Sequence, residues 1–171
     1  MRSTTTRRGR VGFSLIEIAV ATAIVGIALA ALLVSVGSNT RVNDAGRKLT
    51  EAILLAQEIR EWTLALPFSD PDPGDADNPP GPDGSSPQTF VDDLDDLMGV
   101  TYSPPRNGQG YAMYDMQGWS QTISMTWHDP ADISQAVTPG SSDLIRVQVD
   151  VAYRGNPVMA SSWLVTRPDT D

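Results

Sequence analysis

The chain has 171 residues, of which 40% are apolar, and its formal net charge is −9. This length allows one modest domain with an appendage. The acidic balance argues against nucleic acid as a partner, because phosphate groups would be repelled. The absence of cysteine excludes disulfides, thiolate metal sites and a cysteine nucleophile.

Residues 1–12, MRSTTTRRGRVG, are polar and basic and contain no acid. This composition is typical of a leader that stays on the cytoplasmic side of a membrane. Its removal would take four of the twelve basic residues, leaving eight against 21 acids, a formal charge of −13. A disordered tail that is never cut is the alternative.

An almost uninterrupted apolar run follows, FSLIEIAVATAIVGIALAALLVSV, from Phe13 to Val36. As a helix it would be about 36 Å long, enough to span a bilayer core of about 30 Å. We therefore predict a transmembrane segment over residues 13–37. A conventional secretory signal cut near Ala28-Leu29-Ala30 is the competing interpretation.

Residues 38–66 show apolar positions at helical spacing, with charged residues on the opposite side. The sequence therefore predicts one helix from Phe13 to Leu66, whose first half is apolar all round and whose second half is amphipathic. Pro67 supplies the stop signal. The predicted apolar stripe consists of Val42, Ala45, Leu49, Ala52, Ile53, Ala56, Ile59, Thr63 and Leu66.

Residues 67–99 are acidic and rich in proline and glycine, which predicts a loop with a short helix or turn near residues 91–97. Residues 100–171 are predicted to form a β-sheet. Alternation predicts strands over residues 119–127, 144–153 and 158–166, the last two joined as a hairpin, with a weaker strand at 111–114. The predicted fold is α+β, with the long helix packed on a small antiparallel sheet.

The segment Gly12-Phe13-Ser14-Leu15-Ile16-Glu17, preceded by arginines and followed by the apolar run, resembles the processing site of type IV prepilins and type II secretion pseudopilins. The resemblance implies a pilin-like fold, cleavage between Gly12 and Phe13 by a prepilin peptidase, and N-methylation of the new Phe13 amine. It also implies other pilin or pseudopilin subunits, an inner-membrane platform protein and an assembly ATPase as partners.

Glu17 is the strongest candidate for a functional residue, because placing a carboxylate within an apolar membrane helix costs free energy and usually serves a function. The resemblance implies that it pairs with the terminal amine of a neighbouring subunit during assembly. The alternative is a carboxylate that reaches the lipid headgroups. Position 34 is Val34 rather than the proline common in major pilins, which favours a minor pilin or a pseudopilin.

Several acids in the loop supply oxygen ligands of the kind that calcium takes. Their spacing does not fit an EF-hand, so solvated loop carboxylates are the preferred interpretation and no cofactor is expected other than calcium. These weak candidates are Asp70, Asp72, Asp75, Asp77, Asp92 and Asp95. No catalytic grouping surrounds His128, the single histidine, so we expect no enzyme. Strand alternation favours core positions for the aromatic residues Tyr102, Tyr111, Tyr114, Trp119 and Trp127. The alternative is an exposed aromatic surface for carbohydrate or a partner.

The sequence thus favours a structural subunit of a type IV pilus-like or type II secretion filament, crossing the cytoplasmic membrane once with its amino terminus in the cytoplasm and its head outside. Membrane lipid would surround the helix before assembly. The alternative is a membrane-anchored extracytoplasmic module that binds calcium or a ligand and keeps an uncleaved anchor. A secreted hydrolase is the third and weakest interpretation.

Overall fold

A computed structural model of the chain describes residues 14–70, 79–82 and 90–168. The chain divides into two units, Met1–Ala45 and Gly46–Asp171. The arrangement is α+β, with a long helix and a small antiparallel sheet, as predicted, and the sheet has five strands. The elements are helix α1 (Leu15–Ala65), a 3-10 helix (Asp95–Leu97), and strands β1 (Thr101–Tyr102), β2 (Trp119–Asp129), β3 (Asp132–Ala136), β4 (Leu144–Tyr153) and β5 (Asn156–Thr166).

Helix α1 is 51 residues long. Its last hydrogen bonds reach one residue further, since the Leu66 N–H donates to the Trp62 carbonyl at 3.2 Å. Pro67 follows, and it has no N–H with which to continue the ladder. The predicted end of the helix is therefore confirmed to within one residue. The assignment of residues 13–37 to the membrane stays a prediction.

The sheet has the strand order β1-β2-β4-β5, and β3 pairs with the end of β2 at His128 and Asp129, which flank a bulge. The three long strands occur where alternation predicts them. On β4, Ile145, Val147, Val149 and Val151 are all buried on the face that covers the core. Arg154 and Gly155 form the two-residue turn into β5, both with positive φ, as tight hairpins of this kind require.

The second half of α1 packs on the buried face of the sheet, and its buried stripe agrees with the predicted one only in part. Ala52, Ala56, Ile59 and Thr63 are buried as expected, whereas Leu49 is 45% and Ile53 41% exposed. Leu55 and Trp62, which the predicted stripe omitted, are buried instead.

Two contacts explain how the helix is turned about its axis. The side chain of Gln121 on β2 donates to the Leu55 carbonyl at 2.9 Å, and the Trp62 ring packs on the Tyr102 ring with centroids 5.7 Å apart. These partners come from distant parts of the chain. They select one of two adjacent apolar strips on the helix, and helical spacing alone does not distinguish the two.

The predicted strand at Tyr111–Tyr114 is wrong, since this segment holds only a single bridge between Arg106 and Ala112. Asn107 organises a turn here, because its side-chain oxygen accepts the N–H groups of Gln109 and Tyr111. Both tyrosines are exposed, in contrast to the expected core position. Trp119, Trp127 and Tyr102 are buried as expected.

Candidate functional site

The amino-terminal end of α1 holds the one predicted assembly residue that the structure describes. Glu17 lies in the first turn of the helix and its side chain is exposed. An acid in this turn interacts favourably with the positive end of the helix dipole. Gly12 and Phe13, the predicted cleavage and methylation positions, lie outside the described residues.

Ser14 forms the amino-terminal cap of the helix, a role that was not predicted from the sequence. Its carbonyl accepts the N–H groups of Glu17 at 3.0 Å and Ile18 at 3.2 Å. Its hydroxyl oxygen accepts the Ile16 N–H at 3.4 Å. Ser14 and Glu17 stand at capping-box spacing, a signal that is visible in the sequence. The helix therefore has a defined start just after the predicted cleavage position.

Beyond this cap, the first unit presents apolar side chains on every side of the helix. A helix that is hydrophobic all round requires an apolar environment on all sides. By length and composition α1 can cross a membrane. The large exposed residues are Leu15, Ile16, Ile18, Val20, Ile24, Val25, Ile27, Leu29, Leu32, Leu33, Val34 and Val36.

Comparison with protein families matches residues 7–33 to the prokaryotic N-terminal methylation motif. The chain carries the prepilin-type cleavage and methylation motif. Glu17 lies within the matched residues. The exposed apolar part of the helix also lies mostly within them and continues to Val36. No curated protein and no solved structure matches the chain.

The prepilin-type motif supports a pilin-like or pseudopilin-like protein that a prepilin peptidase processes and that assembles with other pilins. Together with the apolar helix, it fits a membrane-anchored protein. It also suggests a structural subunit rather than an enzyme. These statements concern the first part of the chain, and the head must be considered from its own residues.

The aspartates of the head mainly organise a turn. The Asp93 carboxylate accepts the backbone N–H groups of Asp95 at 3.0 Å and Asp96 at 3.3 Å, and the Asp96 carboxylate accepts the Asp92 N–H at 3.0 Å. This pattern is how short acidic side chains stabilise the start of a helical turn. Across the described residues, no group of three acids or histidines is arranged to hold a metal ion.

The six candidate calcium ligands are not all described. Asp72, Asp75 and Asp77 lie outside the described residues. Burial raises the pKa of Asp92, and a hydrogen bond and charge from Asp96 and the charge of Asp70 act in the same direction. Asp95 is buried. It lines a cavity of about 100 Å³ together with Phe68, Ser69, Pro80, Trp127, Gly140, Ser142, Ile145 and Arg167.

Two further polar side chains are buried in the head without a catalytic arrangement. His128 is 4% exposed, and neither ring nitrogen has a hydrogen-bond partner among the described residues. The Tyr102 hydroxyl is likewise buried and unbonded there, and burial raises its pKa to about 12. A general base must reach the proton that it abstracts. Within the described head, neither group is hydrogen-bonded to a nucleophile or an acid.

Proposed function

We propose that this protein is a minor pilin or pseudopilin, a structural subunit of a type IV pilus-like or type II secretion filament. The observation that carries the proposal is the methylation motif at residues 7–33, continued by a capped helix whose apolar side chains are exposed. A prepilin peptidase cleaves between Gly12 and Phe13 and methylates the new amine. The leader faces the cytoplasm and the head lies on the opposite side of the membrane.

In this proposal Glu17 acts during assembly. It stands one helical turn from Phe13, about 6 Å along the axis. A carboxylate in lipid is costly unless it has a partner, and the charged Phe13 amine of a neighbouring subunit supplies one. The pair would set the register between adjacent helices as they exchange lipid contacts for contacts with each other. A platform protein and an assembly ATPase would drive that exchange.

The first experiment measures intact mass and the amino-terminal sequence of the chain expressed with and without a prepilin peptidase. We expect a chain that begins at methylated Phe13 only when the peptidase is present, and no cleavage of Gly12→Ala. A chain that keeps Met1 in both cases would instead favour a permanently anchored binding module. A cut beyond Ala30 would indicate a conventional signal.

The second experiment separates processing from assembly. Glu17→Gln removes the charge while keeping the size of the side chain, so we expect normal cleavage but loss of incorporation into filaments. Glu51→Gln is the matched control, because it makes the same change on the same helix and breaks only a surface pair with Arg47 at 2.6 Å. Equal incorporation of both variants would refute the role of Glu17.

A further inference from the structure

Strand β5 forms one edge of the sheet, and in the described part of the chain nothing pairs with its outer side. It is 11 residues long, and its sequence, NPVMASSWLVT, contains no charged residue. Natural proteins usually protect an exposed edge with charges, proline, bulges or a short strand. Here Pro157 and a bulge protect only the beginning, so residues 159–166 remain a long uncharged edge.

One contact joins the second half of α1 to β5, and another joins it to the neighbouring strand β4. Lys48 lies 5.1 Å from the centroid of the Tyr153 ring, at the start of the hairpin turn. Further along, the indole N–H of Trp163 donates to the Thr63 hydroxyl at 3.1 Å. Lys48 and Thr63 are about 22 Å apart along the helix axis. Asn156, the partner of Tyr153, is about 23 Å from Trp163 along β5, so the two lengths agree. The helix segment and β5 therefore run in the same direction, and Thr63 marks the side of the helix that faces β5.

The helix leaves an apolar strip uncovered on this side. By helical spacing, one side of α1 carries Leu49, Ile53, Arg60 and Leu64. This side lies next to Thr63. It points away from Glu58, whose side chain contacts Gly108. Leu49, Ile53 and Leu64 are exposed. The core-facing side chains of β5, namely Met159, Trp163 and Val165, are only partly buried. One more strand beside β5 would cover both sets.

We propose that the β5 edge and this apolar strip, here called the β5 groove, bind an extended strand of a different polypeptide. The partner strand carries apolar residues at alternate positions and no basic residue. Main-chain groups of β5 would supply the hydrogen bonds, and the strip would receive the alternate side chains. Arg60 is the one charged residue among the four positions of the strip, so an acidic side chain in the partner is favoured over a basic one.

A second copy of this chain is a poor occupant. Antiparallel pairing of two β5 strands would be two-fold symmetric, and it would therefore point the neighbouring helix segments in opposite directions. Two subunits anchored in one membrane insert in the same direction, which disfavours this antiparallel pair. Parallel pairing about a two-fold axis along the strands would keep the helix direction but turn the second sheet over. The partly polar outer face of its β5, Ala160, Ser162, Leu164 and Thr166, would then meet the apolar strip. This exclusion rests on the proposed function, whereas the groove and its chemistry do not. The opposite edge of the sheet, β1, has only two residues and cannot match the length of β5.

The test uses the full chain in detergent micelles and a synthetic nine-residue peptide of alternating threonine and valine with one valine replaced by aspartate. Binding is measured by fluorescence anisotropy, and hydrogen exchange of the β5 amides is followed with and without peptide. We expect saturable binding and at least fivefold slower exchange in β5. The same peptide N-methylated at every amide has no N–H groups with which to form the ladder, and it should bind at least tenfold more weakly.

Two adjacent serines provide a matched pair of variants. Ser161 faces the core side of β5, because it pairs with the buried Val149, whereas Ser162 lies on the exposed outer face. Ser161→Lys places a charge in the β5 groove and should weaken peptide binding at least tenfold. Ser162→Lys makes the same change on the other face and should alter it less than twofold. A lysine in place of the peptide aspartate should weaken binding at least fivefold.

Three results would overturn the proposal: no binding at millimolar peptide, equal binding of the N-methylated peptide, or equal effects of the two serine variants. A homodimer that Ser161→Lys abolishes would replace it with self-association. The wild-type comparison of the two peptides needs no variant, so misfolding of Ser161→Lys cannot hide a failure. None of these measurements depends on cleavage after Gly12, so failure here is distinguishable from failure of the proposed function.

Discussion

Replacing Gln121 tests the contact that sets how α1 is turned against the sheet. This side chain is fully buried and makes three hydrogen bonds to main-chain groups: it donates to the carbonyls of Leu55 at 2.9 Å and Arg106 at 3.1 Å, and accepts the Arg106 N–H at 2.7 Å. Each bond contributes about 0.5–1.5 kcal/mol net, and a buried donor without a partner costs about 1–3 kcal/mol. We expect Gln121→Met, which keeps the volume, to lower the free energy of unfolding by about 3 kcal/mol.

Urea unfolding of the full chain in detergent micelles, followed by tryptophan fluorescence, measures this loss. All four tryptophans lie in the second unit, so the signal reports on the head. With a denaturant slope of about 2 kcal/mol per molar, the midpoint should fall by about 1.5 M. Gln148→Met is the control, because Gln148 bonds only to the exposed Asp150 side chain, and it should change stability by less than about 0.5 kcal/mol. Equal midpoints for the two variants would refute the assigned role of Gln121.

The same unfolding assay checks three further predictions. Gly110→Ala should cost about 3 kcal/mol, because a Cβ there would lie 2.7 Å from the Trp62 ring at a φ of +78°, whereas Gly155→Ala, with open space at a φ of +76°, should cost only about 1 kcal/mol; equal losses would contradict the clash. His128→Leu should stabilise the head by about 1 kcal/mol, since it removes two buried ring nitrogens that lack partners in the described structure, and a lower midpoint would disprove this. The raised pKa of Asp92 means that ionisation opposes folding, so Asp92→Asn should raise the midpoint at pH 7. The gain should fall as the pH approaches the ordinary pKa of 3.8 and vanish well below it, where both states are protonated. A pH-independent gain would have another cause.

The three long strands could be predicted because their sequences alternate clearly. On β4, valine and isoleucine occupy one face, and Arg146, Gln148 and Asp150 occupy the other. Such a pattern fixes both the strand and the side that it buries. β1 and β3 could not be predicted in this way, since two residues carry no period and all five residues of β3 are exposed.

The buried side of the helix could not be predicted from periodicity. Leu49 and Ile53 are as apolar as Leu55, and the spacing of either set suits a helix that covers a sheet. The choice depends on Gln121 and Tyr102, which lie far away in the sequence. Leu49 and Ile53, which were predicted to be buried, are exposed and belong to the strip of the proposed β5 groove.

The motif was readable in the sequence because its residues are contiguous. Glycine, an acid five residues later and an apolar run form one local pattern, so the predicted site needs no long-range contact to be recognised. The capping role of Ser14 needed the structure, since it depends on where the helix begins. Acidic composition does not specify a coordination geometry, so the sequence could not show calcium binding by Asp70, Asp92 and Asp95. Calcium binding by these residues stays a prediction.

The parallel course of the helix and β5 also determines how the head responds to force. Tension applied along α1 between Lys48 and Thr63 acts along the contact with the β4–β5 hairpin rather than across it. The contacts along this length, from the Tyr153 ring to the Trp163 indole, then carry load together in shear instead of opening one after another. Forced unfolding follows the rate of crossing the unfolding barrier. We therefore expect a head loaded in this direction to resist extraction more strongly than one pulled open from the end of the hairpin.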